Sequence, residues 1–225
     1  MSAGGPLLRS VRELAFEAGE AIVAIERAHR GGDGAALRLQ HKADESPLTA
    51  ADLAAHQIIT AGLARLTPEW PVVSEEGAHL PYAERAHWTR FWLVDPLDGT
   101  REFLSGNGEY TVNIALIHAG MPVAGVVFAP ALNELYFGAA DLGVFKQDAT
   151  GTRPISTRAL QPEQTLRVMG SRSHGAERLQ QWLSSLDRPY SFVAAGSSLK
   201  FCRVAEGSAD VYPRFGPTSQ WDTAA

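Results

Sequence analysis

The sequence WLVDPLDGT, at positions 92–100, decides how the rest of this chain is interpreted. Its apolar first half predicts a buried strand. The strand is expected to stop at Asp95-Pro96, because proline has no N–H to give to a sheet ladder. Gly99 then permits an unusual backbone path, and Thr100 begins a predicted helix. The stretch therefore predicts a buried strand, a tight polar turn and a helix start in immediate succession.

The two carboxylates of this turn, Asp95 and Asp98, indicate a cation site. A pair of carboxylates at the end of a buried strand suits Mg²⁺, a hard cation that prefers oxygen ligands. The N–H groups at the start of the following helix are donors for a phosphate. The alternative is an ordinary surface turn, since Asp, Pro and Gly are common turn residues. The nine residues alone leave both interpretations open.

Composition narrows the class of protein. The chain has 225 residues, of which 45% are hydrophobic and 20% charged, as in ordinary globular proteins. Its net charge of -5 argues against a general nucleic-acid binder, which would carry a basic surface. Cys202 is the single cysteine, so no intrachain disulfide can form and a reducing compartment is expected. No stretch resembles a signal peptide or membrane span, which predicts a cytoplasmic location.

The periodicity of apolar residues predicts helices and strands in an α+β arrangement. Apolar residues recur at three- and four-residue steps over 7–29 and again over 51–66, which predicts two amphipathic helices. A short strand is expected at 72–74. Turn-linked strands at 110–118, 123–129 and 134–139, with a further strand after them, predict an antiparallel meander. Alternating strands and helices follow from 166 to 212, and the last of them is a strand predicted at 209–212. The loop-rich region 149–165 is the predicted boundary between domains 1–150 and 151–225.

Polar residues at other element ends supply further candidates. Glu75 follows the short strand, as Asp95 follows the central one. Thr49 is positioned to cap the second helix with Asp52 three residues later, so a structural capping box is the simpler interpretation of Asp52. A second group is cationic or carries a hydroxyl, namely His174, Ser197, Lys200 and Arg214. Each of these has an ordinary structural explanation, but together they suit an anionic substrate. Metal-assisted transfer of a phosphoryl group to water needs both groups.

Three separated motifs resemble those of the inositol monophosphatase superfamily of Mg²⁺-dependent, lithium-sensitive phosphatases. They are Asp-Pro-Leu-Asp-Gly-Thr at 95–100, Glu75-Glu76 upstream and Trp221-Asp222 downstream. Further segments are similar to those of the CysQ-type 3′(2′),5′-bisphosphate nucleotidases, and they lie at 42–52, 170–174, 196–202 and 209–214. The resemblance covers essentially the whole chain. It departs from the family at Gln220, where an acidic residue usually precedes Trp-Asp.

This resemblance implies roles for individual residues. The metal ligands would be Glu75, Asp95, Asp98 and Asp222 with the backbone carbonyl of Leu97, holding two or three Mg²⁺ ions. Asp52 and Thr100 would activate the attacking water, with Glu75 contributing to catalysis. Gly99 and Thr100 would hold the scissile phosphate. The nucleotide and its retained 5′-phosphate would be held by His174, Ser197, Lys200 and Arg214.

The resemblance also implies the fold and the reaction. The fold would be a layered α-β-α-β-α sandwich. The reaction would be hydrolysis of the 3′-phosphate of adenosine 3′,5′-bisphosphate to AMP, and of its 5′-phosphosulfate relative, in sulfate assimilation. The alternatives are an inositol monophosphatase, a fructose-1,6-bisphosphatase, or an inactive nucleotide-binding module. The expected partner is a small nucleotide bisphosphate and not a nucleic acid polymer. A homodimer and loose association with the inner membrane face are compatible with the family.

Family members normally continue beyond the Trp-Asp pair by a further strand and helix. Here the sequence stops three residues after Asp222. A C-terminally truncated form of the fold is therefore expected.

Overall fold

The structure, a computed structural model, describes residues 5–33, 35–41, 47–78, 80–171 and 176–225. In chain order the elements are α1 (Pro6–Arg30), β1 (Gln40–His41), β2 (Pro47–Leu48), α2 (Ala50–Leu66), β3 (Val72–Ser74), α3 (Tyr82–Arg85), β4 (Arg90–Asp98), α4 (Thr100–Ser105), β5 (Thr111–His118), β6 (Met121–Ala129), β7 (Glu134–Ala139), β8 (Gly143–Asp148), β9 (Gly151–Pro154), β10 (Leu166–Ser171), α5 (Ala176–Ser184), β11 (Tyr190–Ala195) and α6 (Leu199–Ala205). No helix in these ranges is both long and apolar enough to cross a membrane.

A seven-stranded sheet organises the molecule, with its strands in the order β3 to β9. The first pair, β3 and β4, is parallel. Every later pair in this sheet is antiparallel. The predicted meander is confirmed, and β8 and β9 extend it. A separate parallel pair, β10 and β11, follows in the chain.

The two long helices cover one face of this sheet. Helix α1 turns its buried residues, among them Val11, Leu14 and Ile22, toward α2 and the sheet. The two helices approach closely at Gly62, where a Cβ would lie 2.2 Å from a methyl carbon of Leu14. From the strands, Trp92, Val94, Ile114, Val126 and Phe128 complete this core. Burial of this large apolar surface is the main stabilising contribution to the fold.

The opposite face of the sheet is covered by α6. Successive strand residues alternate between faces, so Val127 and Ala129 point away from α1 and α2 and pack with Leu199 and Cys202 of α6. Leu93 and Ala115 lie on this same face and pack with Trp221. The sheet therefore has helices on both sides, and the predicted layered α+β arrangement is confirmed.

Strand β4 does not stop where the sequence predicts. It continues through Pro96 to Asp98, so the expected end at Asp95-Pro96 is wrong. Asp95 pairs with Asn113 and Asp98 with Thr111, so β4 has one residue more than β5 between these two pairs. Such a one-residue excess is a β-bulge, one of the few places where a sheet accommodates proline.

The C-terminal part forms its own small core. Leu166 and Val168 of β10 pack against Leu179 and Leu183 of α5. The strand predicted at 209–212 is reduced to a single bridge between Val168 and Val211. Residues 151–154 form β9 and belong to the large sheet. The division into domains at residue 150 stays a prediction.

An ionic cluster fixes the end of α6 to the sheet. Lys146 donates to Glu134 at 3.0 Å and to Glu206 at 2.8 Å. Arg203 donates to the Tyr136 hydroxyl at 2.7 Å and to Glu206 at 3.0 Å. Burial alone would raise the pKa of Glu206, but hydrogen bonds from Lys146, Ser208 and Arg203 outweigh it and lower this pKa to about 2.

We expect the Glu206→Gln variant to be less stable at neutral pH by roughly 2 kcal/mol, the scale of a hydrogen bond to a charged group. A carboxylate whose pKa is depressed on folding stabilises the native state above its unfolded pKa, near 4.3 for Glu. That contribution disappears as the pH falls toward about 2. Thermal unfolding from about pH 7 to about pH 3 should therefore show the variant and the wild type converging in acid.

The exposed Glu163→Gln variant is the matched control, because it removes an equal charge outside the cluster. Equal stability of the wild type and the Glu206→Gln variant at neutral pH would contradict the assigned contribution of the cluster.

Candidate active site

The bulge in β4 brings Asp95 and Asp98 to the same side of the sheet. Three residues apart on a regular strand, they would point to opposite faces. The extra residue lets Asp95 lie opposite Asn113 and Asp98 opposite Thr111, and directly opposed residues share a face. By alternation from Leu93 this is the face covered by α6 and Trp221. Both carboxylates therefore point into the space below α6.

Asp95 is at the centre of the acidic cluster. It is 1% exposed, and its Oδ1 accepts the N–H of Leu97 at 3.1 Å. Burial raises the pKa of Asp95 well above its usual value, and the nearby carboxylates of Asp98, Glu75 and Asp222 raise it further. A hydrogen bond joins the carboxyl groups of Asp95 and Glu75. Four acidic groups from three separate chain segments therefore repel one another here.

Asp98 connects the acidic cluster to α6. Burial raises the pKa of Asp98 to about 7, with a further contribution from Asp222, while Lys200 and the backbone N–H of Ser198 act in the opposite direction. Asp222 is held by hydrogen bonds from the Thr218 hydroxyl at 2.8 Å and from the backbone N–H of Ser219 at 3.1 Å.

Asp52 has a capping role and also contacts Thr100. Its Oδ2 accepts the backbone N–H of Thr49 at 2.7 Å and the Thr49 hydroxyl at 2.6 Å, so the predicted capping box is confirmed. Its Oδ1 accepts the Thr100 hydroxyl at 3.2 Å. The carbonyl of Leu97 lies 3.4 Å from the same hydroxyl. The helix cap thus orients a carboxylate toward the bulge.

Gly99 allows a close approach between the bulge and the loop before α6. It has φ 92°, a left-handed conformation that glycine adopts without strain. A Cβ at this position would lie 3.2 Å from the Ser197 Cβ and 3.2 Å from the Glu109 carbonyl. The Glu109 side chain in turn accepts the N–H of Gly196 at 2.8 Å. The segment at 196–198 is therefore held directly against the acidic turn.

Lys200 brings a positive charge to the site, and Ser197 lies beside it in the lining. Ser197 has φ 45°, a conformation that costs energy for a residue with a side chain. The ammonium of Lys200 donates to the Ser197 carbonyl at 2.7 Å and lies 5.2 Å from the centre of the Tyr212 ring. Burial lowers the pKa of Lys200, and Asp98 acts against this effect. Arg214 is more exposed and donates to the Pro217 carbonyl at 2.7 Å.

One open cavity of about 300 Å³ brings most of the predicted residues together. Its lining includes ten of them: Glu75, Asp95, Leu97, Asp98, Gly99, Thr100, Ser197, Lys200, Arg214 and Asp222. Asp52 lies behind Thr100. The predicted nucleotide contact His174 lies outside the described residues.

The cavity also contains residues that the sequence interpretation did not select. Arg101 and Glu102 of α4 line it, as do the aromatic rings of Phe201 and Tyr212. These rings contact each other edge to face, with centroids 5.0 Å apart. Arg101 directly follows the central motif, so its position next to Thr100 was a usable signal. The pairing of Phe201 with Tyr212 depends on the packing of α6, and no feature of the neighbouring sequence predicts it.

The donor set fits a hard divalent cation. Among the described residues, no three acidic, histidine or cysteine side chains are arranged as a ready-made metal cage. Mg²⁺ does not require such a cage, because it usually takes one or two carboxylates and keeps water or substrate oxygens as its other ligands. Burial and the repulsion among these carboxylates raise the pKa of Asp95, and a bound cation would relieve this unfavourable negative charge.

Comparison with known proteins identifies the class to which this fold and site belong. The model of the inositol monophosphatase family matches residues 6–225. The chain belongs to this family, whose members are generally magnesium-dependent and act on small phosphate-containing substrates.

The similar proteins point to one branch of the family. The 3′(2′),5′-bisphosphate nucleotidase CysQ of Salmonella typhimurium is 49% identical over 220 residues, which are 97% of this chain and 85% of that protein. The protein of the same name from Escherichia coli strain K12 is 48% identical over 219 residues, with the same two coverages. The resemblance stated from the motifs is confirmed.

Solved structures of similar proteins have the same fold as this chain. The crystal structure of CysQ from Bacteroides thetaiotaomicron is 36% identical and has a TM-score of 0.84, covering 99% of this chain and 84% of that one. The suhB protein of Bartonella henselae, 24% identical with a TM-score of 0.80 and covering 98% and 82% of the two chains, shares the fold.

We expect the Thr100→Val variant to lose on the order of 10²-fold in kcat, because it removes the hydroxyl that donates to Asp52. The melting temperature should change little, since Thr100 is only partly buried. Phosphate release under saturating magnesium measures the effect. Thr100→Ser keeps the hydroxyl and serves as the control. Equal losses in both variants would show that the hydroxyl is not what matters.

Proposed function

We propose that this chain is a magnesium-dependent 3′(2′),5′-bisphosphate nucleotidase that hydrolyses the 3′-phosphate of adenosine 3′,5′-bisphosphate to give AMP and phosphate. The observation that carries the proposal is one cavity whose lining combines the four predicted carboxylate ligands with the cationic side chains of Lys200 and Arg214. The names of the relatives that are 48–49% identical support the same assignment. The 5′-phosphosulfate relative of this substrate is a second candidate.

The carboxylates of the cavity lining are the metal-binding part of the proposal. Two or three Mg²⁺ ions would be held by Glu75, Asp95, Asp98 and Asp222, with the carbonyl of Leu97. Bound Mg²⁺ neutralises charge on phosphate oxygens and makes water a better nucleophile at neutral pH. The bulge gives Asp95 and Asp98 the shared orientation that this arrangement needs.

Thr100 and Asp52 would orient the attacking water and accept its proton. The Thr100 proton is directed to Asp52 Oδ1, which leaves the lone pairs of the hydroxyl as acceptors. A water that donates to Thr100 is then held in one orientation for in-line attack on phosphorus. The proton passes from the water to Thr100 and from Thr100 to Asp52. Asp52 stays in place because its other oxygen is fixed by Thr49.

The cationic side chains of the lining would distinguish the substrate from simpler phosphate esters. Lys200 and Arg214 line the same cavity and suit the retained 5′-phosphate. The N–H of Gly99 and the hydroxyl of Ser197 are further possible donors in the lining of the cavity. A substrate with one phosphate does not need a second cationic site. This difference favours the bisphosphate nucleotide over an inositol monophosphate.

The experiment that tests this function is phosphate release from adenosine 3′,5′-bisphosphate, inositol 1-phosphate and fructose 1,6-bisphosphate with Mg²⁺. Release from the nucleotide that EDTA abolishes and Li⁺ inhibits is the expected result. Preference for the inositol or fructose ester would refute the substrate assignment and leave the metal site standing. Binding of the nucleotide without turnover would support the inactive-module alternative.

We expect Arg214→Met to raise the KM for adenosine 3′,5′-bisphosphate by about 10-fold or more, since a charge-assisted contact contributes roughly 1.5–3 kcal/mol. The KM for 3′-AMP, which lacks the 5′-phosphate, should not change. Steady-state kinetics on both substrates measure the difference. Arg65→Met removes an equal charge from an exposed position on α2 and is the control. Equal changes for both substrates would place Arg214 elsewhere than at the 5′-phosphate.

Homodimer formation and loose association with the inner membrane face stay predictions from the sequence.

A further inference from the structure

Three buried polar side chains connect α6 to the middle of the sheet. Thr111 and Asn113 are successive residues on one face of β5, and Ser198 directly precedes α6. Their exposed fractions are 0%, 1% and 3%. The Ser198 hydroxyl is 2.8 Å from the Thr111 hydroxyl and 2.8 Å from Asn113 Oδ1. We refer to Thr111, Ser198 and Asn113 as the hydroxyl–amide bridge.

The hydrogen bonds of this bridge run in one direction. Ser198 has a single hydroxyl proton and donates it to Asn113 Oδ1. Thr111 must then donate to Ser198, because the second contact needs a proton that Ser198 no longer has. Buried polar groups that lose a partner cost about 1–3 kcal/mol each. The bridge therefore restricts Ser198 to one orientation relative to β5.

The same residues are adjacent to the predicted metal ligands. The backbone N–H of Ser198 is hydrogen-bonded to Asp98. Across the β4–β5 pairing, Thr111 lies opposite Asp98 and Asn113 lies opposite Asp95. Side chains directly opposite in a pair share a face and have Cβ atoms about 5 Å apart. Each β5 member of the bridge thus stands beside one of the two carboxylates.

The bridge is also adjacent to the predicted substrate contacts. Ser198 follows Ser197, whose backbone is held at φ 45°, and the Lys200 ammonium donates to the Ser197 carbonyl. A shift of Ser198 would therefore move both Ser197 and Lys200. Within the part of the chain that the structure describes, Asn113 Nδ2 is buried without a hydrogen-bond partner.

We propose that the hydroxyl–amide bridge is a positioning element that fixes the metal-binding carboxylates of β4 relative to the substrate-binding start of α6. Its three members do not contact the reacting atoms. They act through Asp98 on one side and through Ser197 and Lys200 on the other. Loss of one hydroxyl should weaken magnesium binding and nucleotide binding together. The nucleotide part rests on the proposed function, whereas the magnesium part does not depend on the substrate's identity.

The test compares Ser198→Ala and Thr111→Val with Thr111→Ser, which keeps the hydroxyl. Magnesium affinity is measured by calorimetry on the full chain without substrate, and KM and kcat are measured for adenosine 3′,5′-bisphosphate. Both hydroxyl-removing variants should bind magnesium about 10-fold more weakly and show a raised KM, because partners that orient ligands typically contribute 10- to 100-fold. Thr111→Ser should behave like the wild type. The double variant should bind magnesium no more weakly than the single variant with the lower affinity, because both substitutions disrupt the same bridge.

Thr67→Val is the matched control. Thr67 is buried, and its hydroxyl accepts the Trp92 ring N–H at 2.9 Å within the core formed by α1 and α2. This variant should lower the melting temperature and leave magnesium affinity unchanged, which separates positioning from general loss of stability.

Unchanged magnesium affinity in both Ser198→Ala and Thr111→Val would overturn the proposal. Additive losses in the double variant, or an equal loss of affinity in Thr67→Val, would overturn it as well. If the wild type does not hydrolyse the nucleotide, the proposed function fails, and the calorimetric comparison still decides whether the bridge positions the metal ligands.

Discussion

The one-residue bulge in β4 is the constraint on which the site depends. A regular strand would direct Asp95 and Asp98 to opposite faces of the sheet, one toward the apolar core and one toward α6. The extra residue at Pro96-Leu97 restores the shared face, as the pairing with Asn113 and Thr111 shows. Leu97 meanwhile points into the core with the α1 and α2 residues. Two carboxylates thus point toward α6 without leaving a charge in the core.

The resulting acidic cluster works against folding and has to be held by the surrounding structure. Its members come from the end of β3, from β4 and from the C-terminal segment, and burial together with their mutual repulsion raises the pKa of Asp95. The surrounding structure offsets this repulsion because both ends of α6 are held against the sheet. Its start is joined to β5 by the hydroxyl–amide bridge. Its end is joined to β7 and β8 by the Lys146 and Glu206 cluster. A strained, charged site supported by rigid contacts around it is a common feature of enzymes.

Local interpretation was incomplete at Asp52 and at the pair Thr111 and Asn113. Asp52 was more simply explained as part of a capping box, and it is one, yet its second oxygen also accepts the Thr100 hydroxyl. A carboxylate has two oxygens, so the structural and functional roles are compatible. Thr111 and Asn113 are polar residues that alternate with apolar ones along the predicted strand at 110–118. Both are buried, because α6 covers the face that such a pattern would usually turn to solvent.

The sequence by itself determined the two long helices, most of the strands, the meander and ten of the residues that line the cavity. These follow from apolar periodicity, from turn residues, and from motifs whose members are close together in the chain. Only the tertiary structure decided the continuation of β4 through Pro96, the position of Glu75 and Asp222 beside Asp95, and the connection of Ser198 to β5. These features depend on pairing and packing between segments far apart in sequence, and local patterns carry no information about which distant partner a polar side chain will meet.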